Sequence, residues 1–351
     1  MKKTLLAAAI LSSVSAGAFA QTNVTVYGNL DLGVAFVSGA KASTHTPTTA
    51  IPAFNGGNET KLRDGIQAGS RLGFRGTEDL GGGLAGLFVL EAGILADTGA
   101  SDQGGLLFGR QAYVGLKSNA GTLTLGRQIP VHYLALKAID PMDDGFAGPM
   151  GLLIPTNGKR VNNAIKYATP TVNGLSGDLF YALGEVAGNS DASRTLGASG
   201  TYAAGKLMLK LAYHSLNNAT ASDDSNNTMF GGTYNFGAVK AHAAYNVNKG
   251  TGTLDNADLL LGVSVPMGQH KFMLSTIMKD DKTVADRDAT LVSLAYTYAL
   301  SKRTGLYASY ADMNNDNGAT YRTSSATAPI SGQSGAAGGT REFNVGVRHQ
   351  F

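Results

Sequence analysis

Hydrophobic and polar residues alternate with a period of two along most of the chain, which is typical of β-strands whose two faces meet different surroundings. The carboxy-terminal segment shows this most clearly, because Phe343, Val345 and Val347 fall on one face and Asn344 and Arg348 on the other. Together with the turn residues, the pattern predicts sixteen strands, at 24–37, 70–78, 84–95, 105–117, 121–127, 161–169, 175–185, 195–204, 206–215, 227–236, 238–248, 257–266, 270–279, 288–300, 304–313 and 341–351.

The connections between these segments fall into two length classes. Turns of a few residues join some strands, and long polar segments join the others, at 38–69, 128–160, 216–226 and 314–340. The polar faces carry charge, such as Lys240 and His242 in segment 238–248, which a dry core would not accept but a water-filled interior would. An even strand number, with short turns and long loops, predicts an all-β protein, a transmembrane antiparallel 16-stranded β-barrel.

The amino-terminus has the features of an export signal. Lys2 and Lys3 precede the apolar stretch 5–11, and the small residues of 18–20 follow as a cleavage site. The apolar stretch is shorter than the roughly 20 residues that a helix needs to cross a bilayer. We therefore predict that residues 1–20 are a cleaved signal peptide and that residues 21–351 form the barrel.

Composition removes several classes of function. Without Lys2 and Lys3, the 28 basic residues of the chain become 26 against 25 acidic ones, so charge gives no reason to expect nucleic-acid binding. Cysteine is absent from the sequence, which excludes disulfides and thiolate chemistry. No apolar run after residue 20 is long enough for a transmembrane helix, so a membrane form must be a closed barrel.

Short motifs with a chemical meaning fail their context tests. Gly81, Gly83 and Gly86 match G-x-G-x-x-G, but the next segment reads as a strand, with no helix to receive a phosphate. The histidines show no zinc-ligand spacing. We therefore predict no catalytic residue, no metal and no cofactor.

Six segments together resemble the Gram-negative general porins of the β-proteobacterial type. They are 70–84 (SRLGFRGTEDLGGGL), 109–116 (GRQAYVGL), 121–127 (GTLTLGR), 163–170 (NAIKYATP), 301–304 (SKRT) and the terminal Phe351. The resemblance implies a trimeric outer-membrane barrel in contact with outer-membrane lipid and lipopolysaccharide. It also implies passive diffusion of ions and small hydrophilic solutes, with no enzymatic activity.

In this family the third loop bends into the barrel and narrows it, and the equivalent loop here is 128–160. Its many apolar residues predict that it folds against something. On the resemblance, Asp140, Asp143 and Asp144 supply the acidic side of the constriction.

The basic side is expected on the barrel wall. Arg71 has the polar parity of its strand, and Arg110 and Arg160 are assigned to the lumen by parity as well. These three positions match the arginines of anion-preferring relatives, and Arg75 and Lys166 are second choices. We expect a weak to moderate anion preference, because oriented charges in a low-dielectric opening act on a permeating ion.

Other functions for a barrel stay open at this point. A substrate-specific channel or an adhesin is the main alternative, since strand aromatics fall on both faces and do not decide the matter. An outer-membrane barrel enzyme is less favoured, with His132 and Asp140 as its nearest candidate pair.

Overall fold

The computed structural model describes residues 23–39, 58–250, 254–323 and 340–351. The predicted signal peptide lies outside the described residues, as do parts of the long segments 38–69 and 314–340.

Sixteen antiparallel strands form one closed barrel. We number them β1 (Asn23–Ser38), β2 (two segments, Glu59–Asp64 and Arg71–Gly81), β3 (Leu84–Leu95), β4 (Gln111–Ser118), β5 (Gly121–Gln128), β6 (Val161–Ala168), β7 (Leu175–Ala182), β8 (Thr195–Ala204), β9 (Leu207–Asn217), β10 (Asp224–Asn235), β11 (Lys240–Gly250), β12 (Leu254–Met267), β13 (His270–Asp281), β14 (Ala289–Ala299), β15 (Thr304–Asn315) and β16 (Arg341–Gln350). A further two-residue strand, Ala100–Ser101, pairs with the end of β3.

The barrel closes at β1, which pairs with β16 along one edge and with β2 along the other. The β16 ladder runs from Asn29 opposite Gln350 to Ser38 opposite Arg341. The backbone of the terminal Phe351 continues it, since Phe351 N donates to Gly28 O at 3.1 Å. Closure leaves no unpaired sheet edge, which is the condition for strands to cross a bilayer.

The alternation of residues separates an apolar outer surface from a polar interior. Outward side chains such as Val114, Leu211 and Phe230 are each more than 55% exposed. Inward ones such as Asp31 and Asn248 are fully buried. The period of two therefore reflects lipid on one side of the sheet and the lumen on the other. Among the described residues, no helix is long and apolar enough to cross a membrane.

The predicted sixteen-stranded barrel is confirmed, and three details of the prediction were wrong. The fourth strand was predicted from residue 105 but begins at Gln111, because a 3-10 turn at 103–105 is followed by a further turn and a bend up to residue 110. Segment 38–69 was assigned entirely to a loop, yet it contains the first half of β2. Segment 128–160 was predicted as a loop between strands, yet it contains helix α1, Val131–Ile139.

Helix α1 packs against the inner wall of the barrel. It begins after Pro130, whose fixed φ and missing N–H suit a helix start. Leu136 and Ile139 are fully buried and pack with wall residues that include Met229 and Leu260. The apolar residues of segment 128–160 thus cover an apolar patch of the wall.

Candidate functional site

The loop and the opposite wall enclose a charged cavity of about 450 Å³ inside the barrel. Seven basic and five acidic side chains line it. The basic ones are Arg63, Arg71, Arg110, Lys137, Lys159, Arg160 and Arg348. The lining residues carry an excess of two positive charges, which falls to one when Glu91 behind Arg110 is counted and to zero when Glu342 behind Arg63 is counted as well.

Arg110 is anchored by a buried ion pair. Its Nε donates to Glu91 Oε1 at 2.8 Å, and Tyr27 donates its hydroxyl to Glu91 Oε2 at 3.0 Å. Strand parity does not direct Arg110 to the lumen as predicted, because Val114, which shares its parity in β4, is 58% exposed on the outer surface. Arg110 reaches the cavity because it lies just before Gln111, the first residue of β4, and so is outside the alternation of that strand.

Arg160 and Arg71 line the same cavity from the start of β6 and from the second half of β2. Arg71 Nε donates to Gly69 O at 3.0 Å. Arg160 Nε is buried without a hydrogen-bond partner among the described residues. Burial, helped by the charge of Arg110, lowers the pKa of Arg160 to about 10, so its guanidinium stays charged at neutral pH.

Arg75 and Lys166 are not among the residues that line this cavity. Arg75 lies over the ring of Tyr27, 5.0 Å from the ring centroid. Lys166 lies in β6, where it pairs with Thr124 of β5 and Phe180 of β7.

The three loop aspartates differ in their surroundings. Asp143 has a 70% exposed side chain, 3.1 Å from Lys137 Nζ. Asp140 is 6% exposed, and its oxygens accept the backbone N–H groups of Met142 and Asp144 at 3.1 and 2.8 Å. Burial raises the pKa of Asp140 to about 7 despite these hydrogen bonds. Asp140 therefore shapes the turn of the loop, whereas Asp143 presents its carboxylate to the lumen.

Asp144 holds the loop together through an ion pair. Its Oδ2 accepts from Tyr133 Oη and from Lys159 Nζ, each at 2.6 Å, and its Oδ1 accepts from Gly151 N at 3.0 Å. Burial alone would raise the pKa of Asp144, but Lys159 and these hydrogen bonds outweigh it and hold the pKa below its usual value. Much of the negative charge of Asp144 is thus neutralised within the loop.

A second cavity of about 500 Å³ adjoins the first, and Lys137, Asp143 and Arg348 line both. Lys240 and Lys271 line it from the wall, and Asp140 lies at its edge. The charged passage therefore continues past the loop.

The pair considered for a barrel enzyme is not assembled. His132 is fully buried, and its Nε2 contacts Asn246 Oδ1 at 2.8 Å. The carboxylate of Asp140 is occupied by backbone N–H groups, so the two side chains are not hydrogen-bonded to each other. The described residues contain no cluster of three or more His, Cys, Asp or Glu that could hold a metal.

Arg63 and Arg348 are cavity residues that sequence reasoning did not select. Arg63 lay in a segment assigned to a loop, and its Nη2 forms an ion pair with Glu342 at 2.5 Å. Arg348 had a usable signal, since parity puts it on the polar face of the terminal strand with Asn344.

A closed barrel with an apolar exterior and a wet, charged interior narrowed by a loop defines a transmembrane β-barrel channel. Residues 6–318 match the model of the Gram-negative porin family. An outer membrane porin of Bordetella pertussis is 33% identical over 409 aligned residues, and outer membrane porin protein 32 of Delftia acidovorans is 32% identical over 369. In both comparisons all of this chain and all of the relative are covered.

Solved structures agree with these sequence relatives. An anion-selective porin from Comamonas acidovorans superposes with a TM-score of 0.76 at 29% identity, covering 94% of this chain and all of that one. OmpF of Salmonella typhi, at 18% identity and a TM-score of 0.66, shares the fold. The chain belongs to the Gram-negative porin family. It is an outer-membrane porin, a passive channel in the outer membrane of a Gram-negative cell.

Proposed function

We propose that this porin passes small anions in preference to cations, and that Arg71, Arg110 and Arg160 form its selectivity filter with Asp143 on the facing loop. The excess of two basic over acidic side chains among those that line the cavity, with Arg71, Arg110 and Arg160 among them, is the observation that carries the proposal. The similarity to the anion-selective porin from Comamonas acidovorans supports it.

The wider proposal concerns the mature form and its assembly. We infer that residues 1–20 are removed on export, that 21–351 form the barrel and that loop 128–160 is the constriction. We also infer a homotrimer in contact with outer-membrane lipid and lipopolysaccharide, because the related porin OmpT of Vibrio cholerae is described in a trimer form. We propose a transport function for this porin and no enzymatic activity.

The filter is tested by reversal potentials of the purified protein in planar bilayers under a KCl gradient. Reversing Arg71, Arg110 and Arg160 to Glu changes the cavity from an excess of two positive charges to an excess of four negative ones, so we expect the potential to change sign. Because Arg110→Glu also faces Glu91, the double variant of Arg71 and Arg160 serves if the triple variant does not fold.

The matched controls for the double variant are Arg75→Glu and Lys166→Glu introduced together, which reverse the same number of charges outside the cavity. We expect them to move the potential much less. An unchanged potential in the double and triple variants, with the barrel folded, would remove the three arginines from the filter. A cation-signed potential for the unmodified protein would reject the anion preference and leave the porin intact.

A further inference from the structure

Strand β2 is interrupted by a bend that the pairing register defines closely. Asp64 pairs with Leu32 of β1, and Arg71 pairs with Asn29. Two residues of β1 therefore face the six residues 65–70, which leaves four surplus residues in β2. Because four is even, the alternation of faces is preserved across the bend, and Arg71 keeps its inward parity.

A buried carboxylate of the wall holds this bend in shape. Asp31 Oδ2 accepts the backbone N–H groups of Gln67 and Ala68 at 2.7 and 2.6 Å, and its Oδ1 accepts the hydroxyl of Tyr307 at 2.6 Å. Asp31 is fully buried, and its own backbone O accepts from Gly65 N at 2.8 Å. Charge-assisted hydrogen bonds of this kind are strong, so the bend has a built geometry.

The bend meets the inserted loop directly. Phe146 N donates to Ile66 O at 2.5 Å, and the side chain of Ile66 is 2% exposed in a cluster with Met142, Phe146 and Tyr307. A Cβ on Gly145 would lie 2.1 Å from Gln67 O, so the two backbones approach closely at this point. The bend and the loop form one packed unit across the lumen.

The bend also lines the passage and supports its arginines. Residues 65–69 line the first cavity, and Gln67 lines the second as well. Gly69 O accepts from Arg71 Nε at 3.0 Å, and a Cβ built on Gly69 would lie 3.0 Å from Arg110 Nη1. Residue 69 thus needs to be small for Arg110 to pack against it.

We propose that the bend 65–70 is a second constriction element of the pore, and that Asp31 is the positioning residue that fixes it and thereby the arginines beside it. The inference rests on the proposed function, because it assigns a role within the same passage. Pore width and arginine placement are then set by the wall as well as by the loop.

The decisive variant deletes residues 66–69. Gly65 and Ser70 would then face Asp31 and Leu30, and β2 would become continuous with Arg71 still directed inward. We expect a higher single-channel conductance, a larger exclusion limit for poly(ethylene glycol) and a reversal potential shifted toward zero. The matched control deletes 219–222 in an outer loop and should leave all three unchanged.

Asp31→Asn provides a second test that keeps the chain length. It removes the charge of the clamp, so conductance and reversal potential should move in the same directions as in the deletion. Tyr307→Phe removes one clamp contact and should give a smaller change. Heat-dependent gel mobility confirms that each barrel is folded.

The outcomes separate this inference from the proposed function. Unchanged conductance, exclusion limit and potential in a folded 66–69 deletion, or in folded Asp31→Asn if the deletion does not fold, would overturn the second constriction. Anion preference in the unmodified protein would survive that result. If the unmodified protein prefers cations but the deletion raises the conductance as expected, the proposed selectivity is overturned and the role of the bend as a constriction element is supported.

Discussion

Two neutralising substitutions, Arg160→Gln and Arg110→Gln, should have the same effect on selectivity and opposite effects on stability. Each removes one positive charge from a cavity lined by seven basic and five acidic side chains, so each should shift the reversal potential toward zero. Their stabilities differ because Arg110 is paired with Glu91, whereas Arg160 Nε has no hydrogen-bond partner among the described residues.

The magnitude for Arg160 follows from its pKa, which burial lowers from 12.5 to about 10. At about 1.4 kcal/mol per pKa unit, the charged form is disfavoured in the folded protein by up to about 3 kcal/mol. Arginine is charged in both folded and unfolded chains below pH 10, so this cost applies throughout the neutral range. Arg160→Gln should therefore raise the free energy of unfolding by up to about 3 kcal/mol.

Arg110→Gln acts in the other direction. It leaves the Glu91 side chain, 5% exposed, with the hydroxyl of Tyr27 as its remaining side-chain hydrogen bond. Removing one partner of a buried ion pair costs about 3–5 kcal/mol, because the other charge stays buried. The free energy of unfolding should fall by about that amount.

Urea unfolding in detergent, followed by circular dichroism, measures the two stabilities, and bilayer recordings measure the two potentials. Equal destabilisation by both variants would show that Arg160 is paired in the protein and would refute the reasoning from its burial. A reversal potential that only Arg110→Gln changes would remove Arg160 from the filter.

Three further predictions concern the inserted loop. Leu136→Ala should lower the free energy of unfolding by about 2–5 kcal/mol, since Leu136 is fully buried against the wall, and urea midpoints would show it. Because burial raises the pKa of Asp140, the free energy of unfolding of the unmodified protein should fall as pH rises from about 4 to 7. Asp140→Asn should remove this fall, and a fall that persists in the variant would show that another group causes it. Ionised Asp144, paired with Lys159, stabilises the protein above about pH 4, and this contribution is lost in acid. Lys159→Met should remove the contribution, which a comparison of urea midpoints at pH 3 and pH 7 tests.

Periodicity was enough to predict the barrel because its cause is simple. Every strand separates lipid from the lumen, so each carries the same alternation, and the turns between strands are marked by glycine and polar residues. The sequence also indicated that the segment with Leu136, Ile139 and Met150 needs an apolar partner surface, and in the structure these side chains pack with Met229 and Leu260.

The interruption of β2 was not predictable in this way. The six residues 65–70 leave the ladder with β1 and do not alternate in hydrophobicity, so the short segment 59–64, although in phase with Arg71, reads as part of a loop. Arg63 was not selected as a cavity residue because it lies in that segment. The roles of Asp140 and Asp144 were equally hidden, since sequence shows a carboxylate but not whether backbone N–H groups or Lys159 occupy it.

Under the proposed function, selectivity should depend on where charges are compensated, since the formal charge of the whole chain is only +3. Asp144 is paired with Lys159 inside the loop, and Asp140 is held at the turn with a raised pKa, so both contribute less negative charge to the passage than their number suggests. On the wall, Glu91 compensates Arg110 while the Nε of Arg160 is left without a partner among the described residues. If the compensation of charges sets the sign of the reversal potential, Glu91→Gln should increase the anion preference as much as Arg160→Gln reduces it. A potential that follows the number of arginines alone would contradict this account.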